Sequence, residues 1–190
     1  MKKLLFTLAT LVFAANTYAA TYVIDDDNKG AHAFINFKIK HLGYSWLTGR
    51  FNTFSGSFDY DANKLADSSV QVTIDTSSID SNHARRDKHL RSDDFLDVDK
   101  FPKATFVSTG IKVINDNQFK IIGDLTLHGV TKQITIDAEK IGEGKDPWGG
   151  YRAGFAGTTE IALKDFAIEK NLGPASTHVI LELHVEGIRK

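Results

Sequence analysis

Apolar residues recur at every second position over most of this chain, and a period of two is the repeat of a β-strand with one buried face. The last such run is the clearest. Val179, Leu181, Leu183 and Val185 share one face, and His178, Glu182, His184 and Glu186 share the other. Ala33, Ile35, Phe37 and Ile39 stand in the same relation to Asn36, Lys38 and Lys40, and Val70, Val72 and Ile74 alternate with Gln71 and Thr73. Val107, Thr109, Ile111 and Val113 repeat the pattern, followed by Phe119 with Ile121, Leu125 with Leu127, Ile134 with Ile136, and a run from Phe155 through Ile161 to Leu163. Asp116-Asn117 and His128-Gly129 read as hairpin turns, and residues 142–150, with Pro147, as a longer loop. About eight or nine strands at this spacing predict an all-β domain, a sandwich or a closed antiparallel barrel, and closure removes the exposed edges at which chains would aggregate.

Glycines fall inside the strand patterns at Gly49, Gly56, Gly123, Gly154 and Gly157. Glycine there marks a bend or bulge that lets a sheet curl shut, or it makes room for a neighbouring ring. The residues leave both readings open.

Residues 80–96 break the alternation. They carry helix-compatible charges, with Asp80 or Ser81 as the expected cap, so a short helix interrupts the sheet. His83, Arg85, Arg86, Lys88, His89 and Arg91 crowd into nine residues. Arginine forks suit phosphate oxygens, so this segment reads as an anion-contacting lid, with a solvated helix paired to Asp87, Asp93 and Asp94 as the alternative. The second anomaly is a surplus of rings. Phe37, Trp46, Phe51, Phe95, Phe101 and Phe106 are candidates for lining an apolar tunnel, since ligand pockets are mostly apolar with a few polar groups. Filling a core is the competing role for each.

The first residues read as an address. Lys2 and Lys3 precede an apolar run over residues 4–15, and polar Asn16 and Thr17 lead to small Ala19 and Ala20, the layout of a secretory signal over residues 1–19 with cleavage between those alanines. Those twelve residues, apolar except for Thr7 and Thr10, span about 18 Å as a helix, short of the roughly 30 Å of a bilayer's hydrocarbon layer. The expected mature domain is residues 20–190. Loss of the two lysines leaves 21 basic residues against 24 acidic, a net of −3, which gives no electrostatic case for nucleic acid. With no cysteine in the chain, disulfides, thiolate nucleophiles, thiolate zinc sites and a lipid on an N-terminal Cys are all excluded.

Signatures of catalysis are missing: there is no His-Glu-x-x-His, Gly-x-Ser-x-Gly, Walker loop or Gly-x-Gly-x-x-Gly. His83 and His89 point to different sides of a helix, and His178 and His184 share a strand face about 20 Å apart, so neither pair clamps one metal ion. Asp87 with His89 is the nearby pair that could serve general acid/base chemistry.

Five segments, in order, carry a resemblance. His41-Leu42-Gly43-Tyr44-Ser45-Trp46, Arg86-Asp87-Lys88-His89-Leu90-Arg91-Ser92, Phe101-Pro102-Lys103-Ala104-Thr105-Phe106, Gly123-Asp124-Leu125-Thr126-Leu127-His128-Gly129-Val130-Thr131-Lys132 and Asp146-Pro147-Trp148-Gly149-Gly150 closely resemble the YceI family of bacterial periplasmic proteins. The resemblance implies an extended, lipocalin-like, eight-stranded antiparallel barrel with a short helical insertion, located in the periplasm. It implies a carrier holding an isoprenoid lipid, either an isoprenoid quinone or a prenyl diphosphate, with roles in envelope stress or in lipid transport or storage. No cofactor is implied beyond that lipid. A monomer or homodimer with transient membrane contact fits it; the alternatives are an enzyme acting on an isoprenoid head group, through Asp87 with His89, and a non-ligand envelope stress or interaction protein. A polyene could then thread along the barrel axis, and His83, Arg86, His89 and Arg91 are the expected head-group contacts. At roughly −0.3 kcal/mol per heavy atom, a chain of about 40 carbons supplies on the order of −12 kcal/mol, enough for nanomolar binding before ordering costs.

Overall fold

The computed structural model describes residues 19–24 and 31–190. All of the expected leader but Ala19 lies outside them. The alternation delivers strands: β1 (Ala20–Ile24), β2 (Phe34–His41), β3 (Ser45–Phe51), β4 (Phe54–Tyr60), β5 (Ser69–Asp75), β6 (Ile79–Asp80), β7 (Lys103–Val113), β8 (Gln118–Leu127), β9 (Val130–Lys145), β10 (Tyr151–Ala162) and β11 (His178–Arg189). All pairings are antiparallel, and β11 bonds to β10 on one side and to both β1 and β2 on the other. Eleven segments thus occupy eight positions around a closed barrel, because β1 with β2, β4 with β3, and β5 with β6 each share one. The excess over the eight or nine strands read from the sequence comes from these breaks, not from extra staves.

Local chemistry sets the connections. His128 (φ 50°) and Gly129 (φ 75°) form a two-residue turn with both residues in the left-handed region, the type I′ geometry that matches strand twist, and Leu127 faces Val130 across it. Asp146 organises the β9–β10 turn by accepting from the amides of Trp148 and Gly150, so strand β9 extends to Lys145, well into the expected loop. On β7 the face differs from the expected one. Val107, Thr109 and Val113 are exposed while Ala104 and Phe106 are buried, and a register shift between Ser108 and Gly110 breaks the alternation midway.

Both glycine readings hold, at different sites. A bulge falls between Gly154 and Phe155. At Gly49 and Gly123 the absent side chain is instead replaced by a ring: a Cβ on Gly49 would lie 2.4 Å from Phe37 Cζ, and one on Gly123 equally close to Phe106 Cζ. The helix α1 (Ala84–Leu90) is capped not by Asp80 or Ser81 but two residues beyond Ser81, by His83, whose Nδ1 accepts from the Arg86 amide at 3.2 Å.

Candidate functional site

The two ends of the barrel are filled differently. At the end bounded by the β9–β10 turn, rings close the interior: Tyr22 stacks on Phe58 at 4.9 Å, and Phe155 meets Phe58 and Tyr60 edge-on at 5.4 and 5.2 Å. At the other end the inward side chains are mainly aliphatic and do not meet across the axis. They leave a cavity of about 620 Å³, inside the ~300–1,000 Å³ range of small-molecule sites. Ile39 of β2, Leu47 of β3, Leu127 of β8 and Leu181 of β11 line its strand walls, while α1 and the stretch that follows it add Leu90, Phe95 and Leu96. Residues 163–173, running on from β10, contribute Leu163, Ile168 and Leu172. The fold therefore holds an apolar bore in one half of its length, not a tunnel along the whole axis.

Polarity enters this bore at one place. Lys40 and His41 at the end of β2, Arg86 and His89 of α1, and Asn171 and Ser176 complete the lining, and no carboxylate is among the lining residues. Lys40, His41, Leu42, His89 and Asn171 are exposed, so these groups form the rim. Hydrogen bonds tie the rim together. The Ser176 hydroxyl donates to the Lys40 carbonyl at 2.5 Å, fixing the 173–177 stretch to the β2–β3 hairpin. Asp94 bridges the helical segment to the following connection, with His89 Nε2 and Lys170 Nζ each 2.7 Å from its Oδ2. The Lys170 ammonium, and then His89, hold that carboxyl below the usual carboxylate range.

Helix α1 is anchored from beneath. Buried Asp87 accepts from the Ser81 amide at 2.8 Å and from the Ser81 hydroxyl. Burial pushes its carboxyl up, but these bonds outweigh burial and leave it ionised below the ordinary range. Arg86 wraps the same serine, Nε to the hydroxyl at 2.7 Å and Nη2 to the carbonyl at 2.5 Å, with the guanidinium beside the bore. Asp87 and His89 consequently have different partners, Ser81 and Asp94, and do not form an acid/base pair with each other. Among the described residues, no cluster of three or more His, Cys, Asp or Glu could hold a metal ion.

Of the rings singled out in the sequence, Phe37, Phe51 and Phe95 line the cavity. Phe106 is buried among Leu125, Ile136, Ile161 and Phe166, off the cavity wall. Phe101 packs edge-on against His128 at 4.7 Å, and Trp46 lies on the outer face, 49% exposed, under Lys38 and Lys40. Of the basic candidates, Arg86 and His89 reach the cavity. His83 is spent on the helix cap, and Arg91 donates to the Ser77 and Ile79 carbonyls at 3.2 and 3.1 Å. Reading for rings missed Lys40, His41 and the aliphatic majority, although the alternation of β2 and β11 already turned Ile39, Val179 and Leu181 inward.

Residues 22–187 match the model of the YceI-like domain. A UPF0312 protein of Azotobacter vinelandii is 58% identical over 193 residues, covering 100% of each chain. The crystal structure of the Campylobacter jejuni YceI protein is 32% identical, with a TM-score of 0.72 over 80% of this chain and 90% of that one. A polyisoprenoid binding domain from Saccharophagus degradans, implicated in plant cell wall breakdown, shares the fold at 17% identity, with a TM-score of 0.67 over 90% of this chain and 99% of that one.

Proposed function

The chain belongs to the YceI-like family, and on that premise we propose that it is a periplasmic binding protein that carries or stores a long-chain isoprenoid, its tail in the half-barrel cavity and its head at the basic rim. One observation carries the reading: away from its rim the cavity wall is aliphatic and aromatic, and among the described residues that line it the charged or chargeable groups are Lys40, His41, Arg86 and His89, with none acidic. Desolvated aliphatic walls favour a branched hydrocarbon, and a lining whose charged groups are all basic, with the neighbouring Asp94 already paired to His89 and Lys170, favours a diphosphate or the hydrogen-bond-accepting oxygens of a quinone over a cationic head. Export to the periplasm rests on the leader-like residues 1–19.

The test is to isolate the mature chain from the periplasm without detergent, extract it with organic solvent and identify the lipid by mass spectrometry, alongside uptake of added quinone and prenyl diphosphate. Co-extraction or saturable uptake of an isoprenoid is expected. Leu181→Trp, which places a ring in the bore, should abolish uptake while the fold persists. An empty extract from several growth conditions together with no uptake of either lipid would refute the reading, as would unchanged uptake by Leu181→Trp.

A further inference from the structure

The tip of the β2–β3 hairpin is the most conspicuous exposed apolar feature at the open end. Leu42 is 55% exposed, Tyr44 87% and Trp46 49%. Among the described residues these side chains stay largely open to solvent, yet the hairpin is not loose. Ser176 holds the Lys40 carbonyl, and Leu42 lies with its Cδ2 close to the Gly173 backbone. Lys38 and Lys40 sit over the Trp46 ring at 5.5 and 5.6 Å from its centroid, so apolar surface and positive charge are presented together. Lys38 also pairs with Glu182. From Phe34 to Phe58 the chain has Lys38, Lys40, His41 and Arg50 but no acidic residue, in a molecule that is otherwise slightly acidic.

We infer that this tip docks the barrel on the surface of an anionic bilayer. Tyrosine and tryptophan partition to the membrane–water interface, where ring and polar tip are both satisfied, and lysines beside them are drawn to anionic head groups. The location adds a consequence. Lys40, His41 and Leu42 belong both to the tip and to the cavity wall, so a docked barrel has its mouth against the head groups. Cargo then passes between bore and bilayer without its hydrocarbon crossing open water. Exposed Trp148 provides an internal comparison: it is 74% exposed but lies at the closed end, with Arg152 against its ring.

Docking is separable from cargo binding because it is measured on delipidated mature chain. Flotation with vesicles of phosphatidylethanolamine plus phosphatidylglycerol should recover the protein, and vesicles of phosphatidylcholine alone should recover much less. Tyr44→Ser with Trp46→Ser should weaken binding to the anionic vesicles roughly tenfold, from the lost apolar burial. Lys40→Ser should weaken it about fivefold. Trp148→Ser should bind as the parent does. In Trp148→Phe, the remaining Trp46 emission should shift to shorter wavelength on vesicle addition, a readout independent of any loss of affinity. The inference is overturned by failure to float with anionic vesicles, by an equal loss in Trp148→Ser, or by an unshifted Trp46 emission. It is equally overturned if sedimentation shows a dimer that Trp46→Ser dissociates, since a second copy of the chain would then own the patch. Any of these leaves lipid extraction and uptake free to succeed or fail separately.

Discussion

Gly49 and Phe37 face each other across β2 and β3, and the ring of one occupies the space the other leaves. A methyl at position 49 would meet not only the ring but the Asp80 carbonyl at 2.8 Å, which belongs to a paired strand and cannot yield. Gly49→Ala should therefore cost about 1–3 kcal/mol of stability, the usual range for overpacking, and push Phe37 into the bore. Denaturant unfolding and lipid uptake should fall together; a variant as stable as the parent would show the ring free to move. The basic residues of the α1 segment divide by the same kind of accounting. Arg91 spends its guanidinium on the Ser77 and Ile79 carbonyls, so Arg91→Ala is expected to lower stability by about 1–2 kcal/mol with isoprenoid affinity unchanged. Asp87→Ala strands the Ser81 amide and hydroxyl in a buried place and should cost about 1–3 kcal/mol, read as a lower melting temperature. Loss of affinity in Arg91→Ala at unchanged stability would reverse the assignment and return Arg91 to the cavity rim.

The helix and the connection after β10 are the walls that strands alone would not supply, and Asp94 joins them by holding His89 from one and Lys170 from the other. Asp94→Asn should accelerate amide hydrogen exchange over residues 84–98 and 167–173 while leaving exchange around Tyr22, Phe58 and Phe155 as it was. Uniform acceleration would mean that Asp94 supports the barrel as a whole and not these two walls. These elements also mark where sequence reading runs out. Strand faces on β2, β5 and β11 were legible because a half-buried strand must alternate, and His128-Gly129 because few pairs tolerate two left-handed residues in succession. The face of β7 was not, since a one-residue shift at Ser108 exchanges inside for outside and leaves no trace in composition. Arg91 and His83 look like head-group ligands in the sequence because a cluster of charges says nothing about which backbone groups lie within reach. Trp46 and Phe101 were misplaced for a related reason: a ring's hydrophobicity does not say whether it faces the bore, another ring or water.

The molecule as a whole divides into a half that stores stability in stacked rings and a half that gives up packing for a cavity, and its pH response reflects the first half more than the second. Lys140 sits by Tyr60 at the closed end. Burial draws its ammonium down, but hydrogen bonds to Glu143 and Tyr60 outweigh that and push it up to about 12, from an ordinary 10.5. Tyr22, stacked in the same cluster, is raised by burial against the opposing pull of Arg189. Both groups hold their protons more tightly folded than unfolded, so the stability they add is complete below their ordinary values and drains away as pH climbs through the folded ones. The acid limb has the opposite sign. Asp94, Asp87 and Asp146 are held below the ordinary carboxylate value, Asp146 chiefly by the Gly150 amide, so the unfolded chain takes up protons first and stability falls as pH drops below about 4. Guanidinium unfolding across the pH range should thus give a broad plateau with two shoulders, the alkaline one reaching past 10.5 toward about 12. Lys140→Met removes one of the groups that titrate there and should flatten that shoulder without touching the acid one or the uptake of lipid at the far end. An alkaline slope identical to the parent's would mean that the closed end is held by its rings alone, with the Lys140–Glu143–Tyr60 contacts contributing nothing.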